Sequence, residues 1–568
     1  HLASSAASDV YKRQVFLFPF EAAVREAGVR SIMPSYNEID GIPSHANKGI
    51  LTDVLRKKWG FDGTVVSDYF AIDELIGRHH LTDNKAAAAL LALNAGVDIE
   101  MPNPDTYKTL AASVKSGKID VALIDRAVKR ILQEKFRLGL FENPYTSTEG
   151  VEEFIGNAEH VAFSQKVAEK AVILLQNKKQ LLPLDKNAIR SIAVIGPHVH
   201  ETLLGGYSDV PSETISVLQG IQNYVGDSIK VNYAQGTLIT RDDWPVDEDS
   251  KAGNSRSKQR WHTDKVELAT KEDTKGLFKA AVRAAKKSDV AVLVIGENEG
   301  VSREAWSDGH LGDRTDLNLV GNQLALAEAI IATGTPTIVV LQNGRPLAIE
   351  ALANKADTLI EAWYLGQNTG NALANIIFGE VSPGGKLPAT FPRSVGQLPV
   401  YYNHKPSAKR GYAFDKTTPL FPFGYGLSYS TFAFSDLKID ASKATAGGEV
   451  LASITIKNTG KYIASEVAQV YIRDLTASIT RPVKELKAYQ RVELKPGQSA
   501  NIQFTIPVNL LGFHDHDLNY VIEPGAMQLM IGSSSADIHA EGEFTIKGKR
   551  TDISANKAFS SHSKVTYL

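Results

Sequence analysis

At 568 residues the chain is too long for a single hydrophobic core, and about three domains are expected. Its 62 Lys and Arg against 64 Asp and Glu give a net charge of -2, which offers no field for nucleic acid or an anionic membrane. A neutral small molecule or another protein is the expected partner. With no cysteine, disulfide frameworks and thiolate metal sites are excluded, and no run of about 18 apolar residues marks a membrane-spanning helix.

In chain order, Ser4 to Gln14 (SSAASDVYKRQ) reads as the in-frame translation of a sequencing-library adapter, so residues 1–14 are set aside as a scar. From Val29 to Met101 a short apolar strand, a polar turn and an amphipathic helix recur, the rhythm of parallel β/α units. The strands are expected at Val29 to Tyr36, Gly63 to Asp68 and Gly96 to Met101, with a helix at Ile50 to Trp59. Three units do not close a barrel. An eight-unit barrel would need about 150 residues more, at about 30 per unit. Helices follow at Tyr107 to Lys115 and Ile119 to Lys135, and the Asn, Pro, Thr and Ser content of Phe141 to Glu149 reads as a linker.

Further on, SIAVIG (Ser191 to Gly196), DVAVLVIG (Asp289 to Gly296) and TPTIVVLQ (Thr335 to Gln342) alternate with helices near Leu277 to Ala285 and Gln323 to Ala332. This predicts an α/β sandwich around a mostly parallel sheet. The polar, aperiodic Trp244 to Arg260 reads as a surface insertion. After about Phe432 the helices give way to alternating runs at Val450 to Asn458, Val467 to Asp474, Ala500 to Pro507 and Ala526 to Gly532. Turn signals separate them, as in a fibronectin type III-like or immunoglobulin-like β-sandwich.

A series of landmarks resembles glycoside hydrolase family 3. In order they are SIMPSYNEIDGIPSH (Ser31 to His45), LRKKWGFDGTVVSDY (Leu55 to Tyr69), AGVDIEMP (Ala95 to Pro102), AVILLQNKKQLLPL (Ala171 to Leu184), GGKLPATFP (Gly384 to Pro392) and PFGYGLSYSTF (Pro422 to Phe432). The resemblance runs over nearly everything after Val15. It implies a multidomain chain: residues 15–140 as the C-terminal part of a (β/α)8 TIM-type barrel, 141–165 as linker and 166–400 as the α/β sandwich. A second linker at 401–431, a fibronectin type III-like domain at 432–547 and a tail at 548–568 complete it.

The same resemblance implies a retaining, exo-acting β-glucosidase-like hydrolase that takes a carbohydrate substrate and no cofactor or metal. Asp68, ending the VVSD strand, matches the family's nucleophile, and Glu304, in the loop Gly296 to Leu319, matches its general acid/base. Glu297 and Glu299 lie close by as alternatives, with Glu297 favoured as a structural residue at a strand end. Met33 and Tyr36 match positions lining the site, and Tyr69 stands where many relatives carry tryptophan. A periplasmic or secreted location is also implied. Sugar-clamping residues of the early barrel have no counterpart here, and the 568 residues alone are expected to be inactive or nearly so.

The chemistry explains why two carboxyl groups are needed. Glycosidic cleavage passes through an oxocarbenium-like transition state, which one carboxylate attacks or stabilises while a protonated carboxyl releases the leaving oxygen. In retaining enzymes the two stand about 5–5.5 Å apart.

Other readings of the same residues are plainer. A lone Ser-Asp at a strand end is more often a helix cap, and Tyr36, Tyr69 and Met33 by themselves are ordinary half-buried side chains. His514, Asp515, His516 and Asp517 could hold a metal, but a polar loop is the simpler reading. Phosphate-loop, dinucleotide, zinc-protease and serine-hydrolase motifs are absent from the sequence. The alternatives to a β-glucosidase are a β-xylosidase or other β-glycosidase and, in another class, a non-catalytic carbohydrate-binding or scaffolding protein.

Overall fold

The structure, a computed structural model, describes residues 9–205, 208, 211–241, 266–303 and 314–568. It divides into two compact units, His1–Gly150 with Phe513–Asn519, and Val151–Gly512 with Tyr520–Leu568. The expected insertion at Trp244 to Arg260 lies outside the described residues.

In the first unit, Thr64–Tyr69 is the central strand of a parallel three-stranded sheet, flanked by Ser31–Ile32 and Ile99–Met101. Gly63 leads into it at a close approach: a Cβ there would lie 2.2 Å from the Arg30 carbonyl oxygen, which accepts from the Thr64 amide at 3.0 Å. Helix Lys85–Ala95 follows from its sequence. Asn84 caps it by accepting from the Ala87 amide, Ala and Leu fill its interior, and Gly96 ends it at φ 116. Its Ala88 and Ala92 join Leu51, Leu55, Phe61, Val65, Ile72, Leu75 and Val97 in one buried cluster.

Asp98 ties this cluster together. Its side chain is 1% exposed and accepts from the Val65 amide (3.0 Å), Arg56 (2.7 Å) and Arg130 (2.8 Å). Strand, preceding helix Gly49–Lys58 and following helix Val121–Arg137 thus meet on one carboxylate. Burial pulls the Arg56 guanidinium down to about 10 while Asp98 opposes the shift, so Arg56 stays cationic at neutral pH.

The second unit carries a six-stranded sheet in the order Ile173–Asn177, Thr358–Glu361, Thr337–Gln342, Val290–Gly296, Ser191–Ile195, Lys230–Ala234. Only Ile173–Asn177 runs antiparallel to its neighbour, so the mostly parallel sheet expected from the apolar runs is present. Both faces are covered. Ala193, Leu293 and Val339 pack with Leu326 and Ile330 on one side, and Val194, Val292 and Ile338 with Ile221 and Leu373 on the other. Burial on both faces is why these strands read as continuous rather than alternating apolar runs.

Two four-stranded antiparallel sheets follow. One orders Phe432–Asp440, Glu449–Asn458, Ser499–Pro507 and His562–Tyr567, the other Glu485–Leu494, Ala464–Asp474, Gly525–Gly532 and Ile538–Ile546. This is the β-sandwich that the alternation predicts.

Three stretches differ from the sequence reading. Residues 401–431, taken as a linker, place Phe421 in the α/β core, and Tyr425 packs against it; the Phe391 amide donates to the Phe421 carbonyl at 2.9 Å. Scattered aromatics without a period hide such a segment from periodicity arguments. Within 141–165 a helix, Ala158–Ala171, begins on an Asn157 cap and meets Asn368 through the Val161 carbonyl. The tail forms the strand His562–Tyr567, whose side chains are mostly exposed and therefore carry no apolar alternation.

Replacing Asp98 with Ala strands Arg56 and Arg130 without their shared partner. The opening free energy of the Thr64–Tyr69 strand is expected to fall by about 3–5 kcal/mol. Hydrogen exchange of peptides covering that strand measures it, with the β-sandwich peptides unchanged.

Candidate active site

Asp68 is the penultimate residue of Thr64–Tyr69, at the C-terminal end of a parallel strand, where β/α folds place their working groups. Beyond it the chain turns sharply. Phe70 adopts φ 62, in the left-handed region that costs a non-glycine residue energy, while its amide donates to the Met101 carbonyl at 3.0 Å. The Met101 amide in turn donates to Ser67 Oγ at 2.9 Å. The strand end is therefore pinned on both sides of Asp68.

The carboxylate is half-buried and oriented by two donors. Oδ1 accepts from the Tyr36 hydroxyl at 2.9 Å and from the Tyr69 amide at 2.8 Å. The Tyr36 oxygen also lies 2.8 Å from the Tyr69 carbonyl oxygen, so its single proton is shared between two acceptors. Tyr36 and Tyr69 are 38% and 55% exposed, which leaves aromatic surface beside the carboxylate, and Met33 is 57% exposed. Tyr36, Asp68 and Tyr69 are thus brought together. Met33 lies on the same segment as Tyr36, just past the strand Ser31–Ile32.

His45 was not singled out from sequence, although it closes the quoted run Ser31 to His45. It is 1% exposed, and its Nε2 accepts from the Asp68 amide at 3.0 Å. Burial pushes its imidazole down to about 4 against the attraction of Asp68, so it is neutral at physiological pH.

Glu304 lies outside the described residues. The segment that leads to it is tightly held: the Glu297 amide donates to the Gln342 carbonyl at 2.8 Å, and Ser302 Oγ donates to the Asn298 carbonyl at 2.9 Å. Glu297 is buried at the end of Val290–Gly296, with Arg314 at 2.6 Å and Arg345 at 3.5 Å. Burial raises its carboxyl while the two arginines oppose the shift. Such an ion pair fits a structural anchor. Glu299 is buried as well.

Glu361, ending the strand Thr358–Glu361, was also missed. Fully buried, it accepts from the Trp363 amide at 2.9 Å and from Asn343 at 3.2 Å, and burial pushes it up to about 8. The only sequence signal is an acid closing the apolar run TLIE.

In the His514 to Asp517 cluster, the Asp515 carboxylate is used by its own turn, accepting from the Asp517 and Asn519 amides at 3.0 and 2.9 Å. His516 and Asp517 are exposed.

Three family descriptions match the chain. They are the glycosyl hydrolase family 3 N-terminal domain at residues 7–133, its C-terminal domain at 172–429, and a fibronectin type III-like domain at 466–535. A β-xylosidase of Formosa agariphila is 42% identical over 92% of this chain and 70% of its own length. The chain belongs to glycosyl hydrolase family 3. A periplasmic β-glucosidase of Salmonella typhimurium is 38% identical, over 94% of this chain and 69% of its own. Among solved structures of the family, a β-glucosidase of Erythrobacter marinus superposes with a TM-score of 0.89 at 39% identity, covering 94% of this chain and 70% of that one. A β-glucosidase of Listeria innocua in complex with glucose does so with 0.81 at 32% identity, covering 95% and 70%.

The raised carboxyl of Glu361 makes its contribution to stability fully present below its ordinary value near 4.5, and lost as pH rises toward 8. Glu361→Gln cannot ionise. Its thermal midpoint relative to the unchanged protein is therefore expected to improve steadily from pH 5 to pH 8, as followed by calorimetry.

Proposed function

We propose that the enzyme carrying these residues releases β-D-glucose from the non-reducing ends of β-glucosides or oligosaccharides by a retaining mechanism, with Asp68 as nucleophile and Glu304 as general acid/base. The observation that carries this reading is the Asp68 carboxylate itself. It stands at the C-terminal end of a parallel strand, oriented by Tyr36 and the Tyr69 amide and bordered by their exposed aromatic surface.

Both described hydrogen bonds fall on Oδ1, so Oδ2 is the oxygen available for attack. In the first step Oδ2 bonds to the anomeric carbon, the glycosidic C–O bond breaks, and Glu304 gives its proton to the departing oxygen. In the second, Glu304 takes a proton from water, the water oxygen attacks the same carbon, and the ester bond to Asp68 breaks. Tyr36 steadies the carboxylate, and Tyr69 with Met33 offers a platform for the sugar or its leaving group.

The sugar-binding reading draws support from the Listeria innocua β-glucosidase, whose structure holds glucose. A second glycone, xylose, is favoured by the Formosa agariphila β-xylosidase at 42% identity. Comparing kcat/KM for the two nitrophenyl glycosides decides between them.

In the enzyme expressed from its complete coding sequence, Asp68→Asn is expected to lower turnover by several orders of magnitude, because the covalent step is lost. A 2-fluoroglycoside should label the peptide containing Asp68, and a label on any other carboxylate sinks the assignment. Glu304→Ala should keep activity on substrates with good leaving groups and be partly rescued by azide. Rescue seen instead in a Glu297 or Glu299 variant moves the acid/base role there.

A further inference from the structure

We propose that His45 is a positioning residue for the nucleophile: its neutral ring holds the backbone of Asp68 on one nitrogen and that of Ser35 on the other, and so sets Asp68 against Tyr36. This rests on the reading of Asp68 as the nucleophile.

The tautomer follows from the hydrogen bonds. The Asp68 N–H donates to Nε2 at 3.0 Å, so this nitrogen bears a lone pair. The proton of the neutral ring is then on Nδ1, which faces the Ser35 backbone. Ser35 immediately precedes Tyr36, whose hydroxyl reaches Asp68 Oδ1 at 2.9 Å. One rigid ring with no internal torsion therefore links the two backbone points that carry the nucleophile and its orienting phenol. The backbone next to His45 is tied to the same segment, because the Ser44 amide and hydroxyl donate to the Asn37 carbonyl at 3.1 and 2.8 Å.

This link works only with the ring neutral. A second proton would sit on Nε2, facing the Asp68 N–H, and would turn a hydrogen bond into a donor-donor conflict. Burial is the largest influence and opposes that proton. Asp68 favours it, and His79, whose Nδ1 lies 2.8 Å from Glu38, opposes it. The helix Lys85–Ala95 packs against the turn Ser44–Ala46, and its buried positions are Ala88, Ala89, Ala92, Leu93 and Ala95, none ionisable.

Two amide substitutions separate the halves of the link. In His45→Gln the side-chain amide reaches the position of Nε2 and its oxygen can still accept from Asp68; in His45→Asn it reaches only as far as Nδ1, keeping the Ser35 contact and losing Asp68. The readout is the rate of covalent labelling by a 2-fluoroglycoside, which isolates attack by Asp68. His45→Asn is expected to slow labelling tenfold or more with little change in the inactivator concentration giving half-maximal rate, and to expose the Asp68 amide to hydrogen exchange. His45→Gln is expected to stay within a few-fold of the unchanged enzyme. Equal labelling rates in the two variants overturn the proposal.

A measurement on the unchanged protein covers the case in which neither variant folds. Nitrogen NMR of His45 should show the Nδ1-protonated neutral ring from pH 5 to 8, and an Nε2–H ring or titration near pH 6.5 overturns it. Failure of the nucleophile reading is distinguishable, since the label would then fall on a carboxylate other than Asp68 in the unchanged enzyme.

Discussion

Asp98 accepts from the Val65 amide, Arg56 and Arg130, and because the carboxylate is buried, all three partners are needed to offset the loss of hydration around its charge. The Val65 carbonyl accepts from the Asp98 amide at 2.8 Å, so main chain and side chain grip the same residue of the central strand. The depth and register of Thr64–Tyr69 follow from that grip. Val65 is fixed, but the register against Ile99–Met101 shifts between Val66 and Tyr69, so Asp68 lies in that irregularity, just before the turn at Phe70. The site inherits its geometry from a buried charge, on Asp98, that grips the strand three residues before Asp68.

The same division of labour recurs in the second unit. Glu297 and Glu361 both stand at the C-terminal ends of parallel strands, where backbone pairing stops and side chains meet loops. Both carboxyls are raised: Arg314 and Arg345 oppose the rise at Glu297, whereas among the described residues Glu361 is met by Asn343 and the Trp363 amide, and the nearby Glu297 adds to its rise. Burial is common to both groups.

Exposed charge plays a smaller part. Arg30, Asp62, Glu134 and Arg137 form a linked set on the surface of the first unit, with separations from 2.6 to 2.8 Å for the Asp62 pairs and the Arg137–Glu134 pair. Solvent screening leaves such pairs little net stability, so the fold rests on its buried groups.

The apolar runs by themselves determined the architecture. Parallel strands covered on both faces must read as unbroken hydrophobic segments, and half-covered sandwich strands must alternate, because those periods follow from backbone geometry within one strand. The run DVAVLVIG and the alternation of Val450 to Asn458 were legible for that reason, and so was the placing of Asp68 at a strand end. Tertiary structure alone decided the rest. His45 meets Asp68 across 23 residues, Arg130 meets Asp98 across 32, and Asn343 meets Glu361 across 18. Such pairs leave no local period, since a hydrogen bond between distant segments depends on how strands and helices stack rather than on any spacing within them. The aromatic stretch around Phe421 was read as linker for the same reason: its burial is set by the sheet it covers.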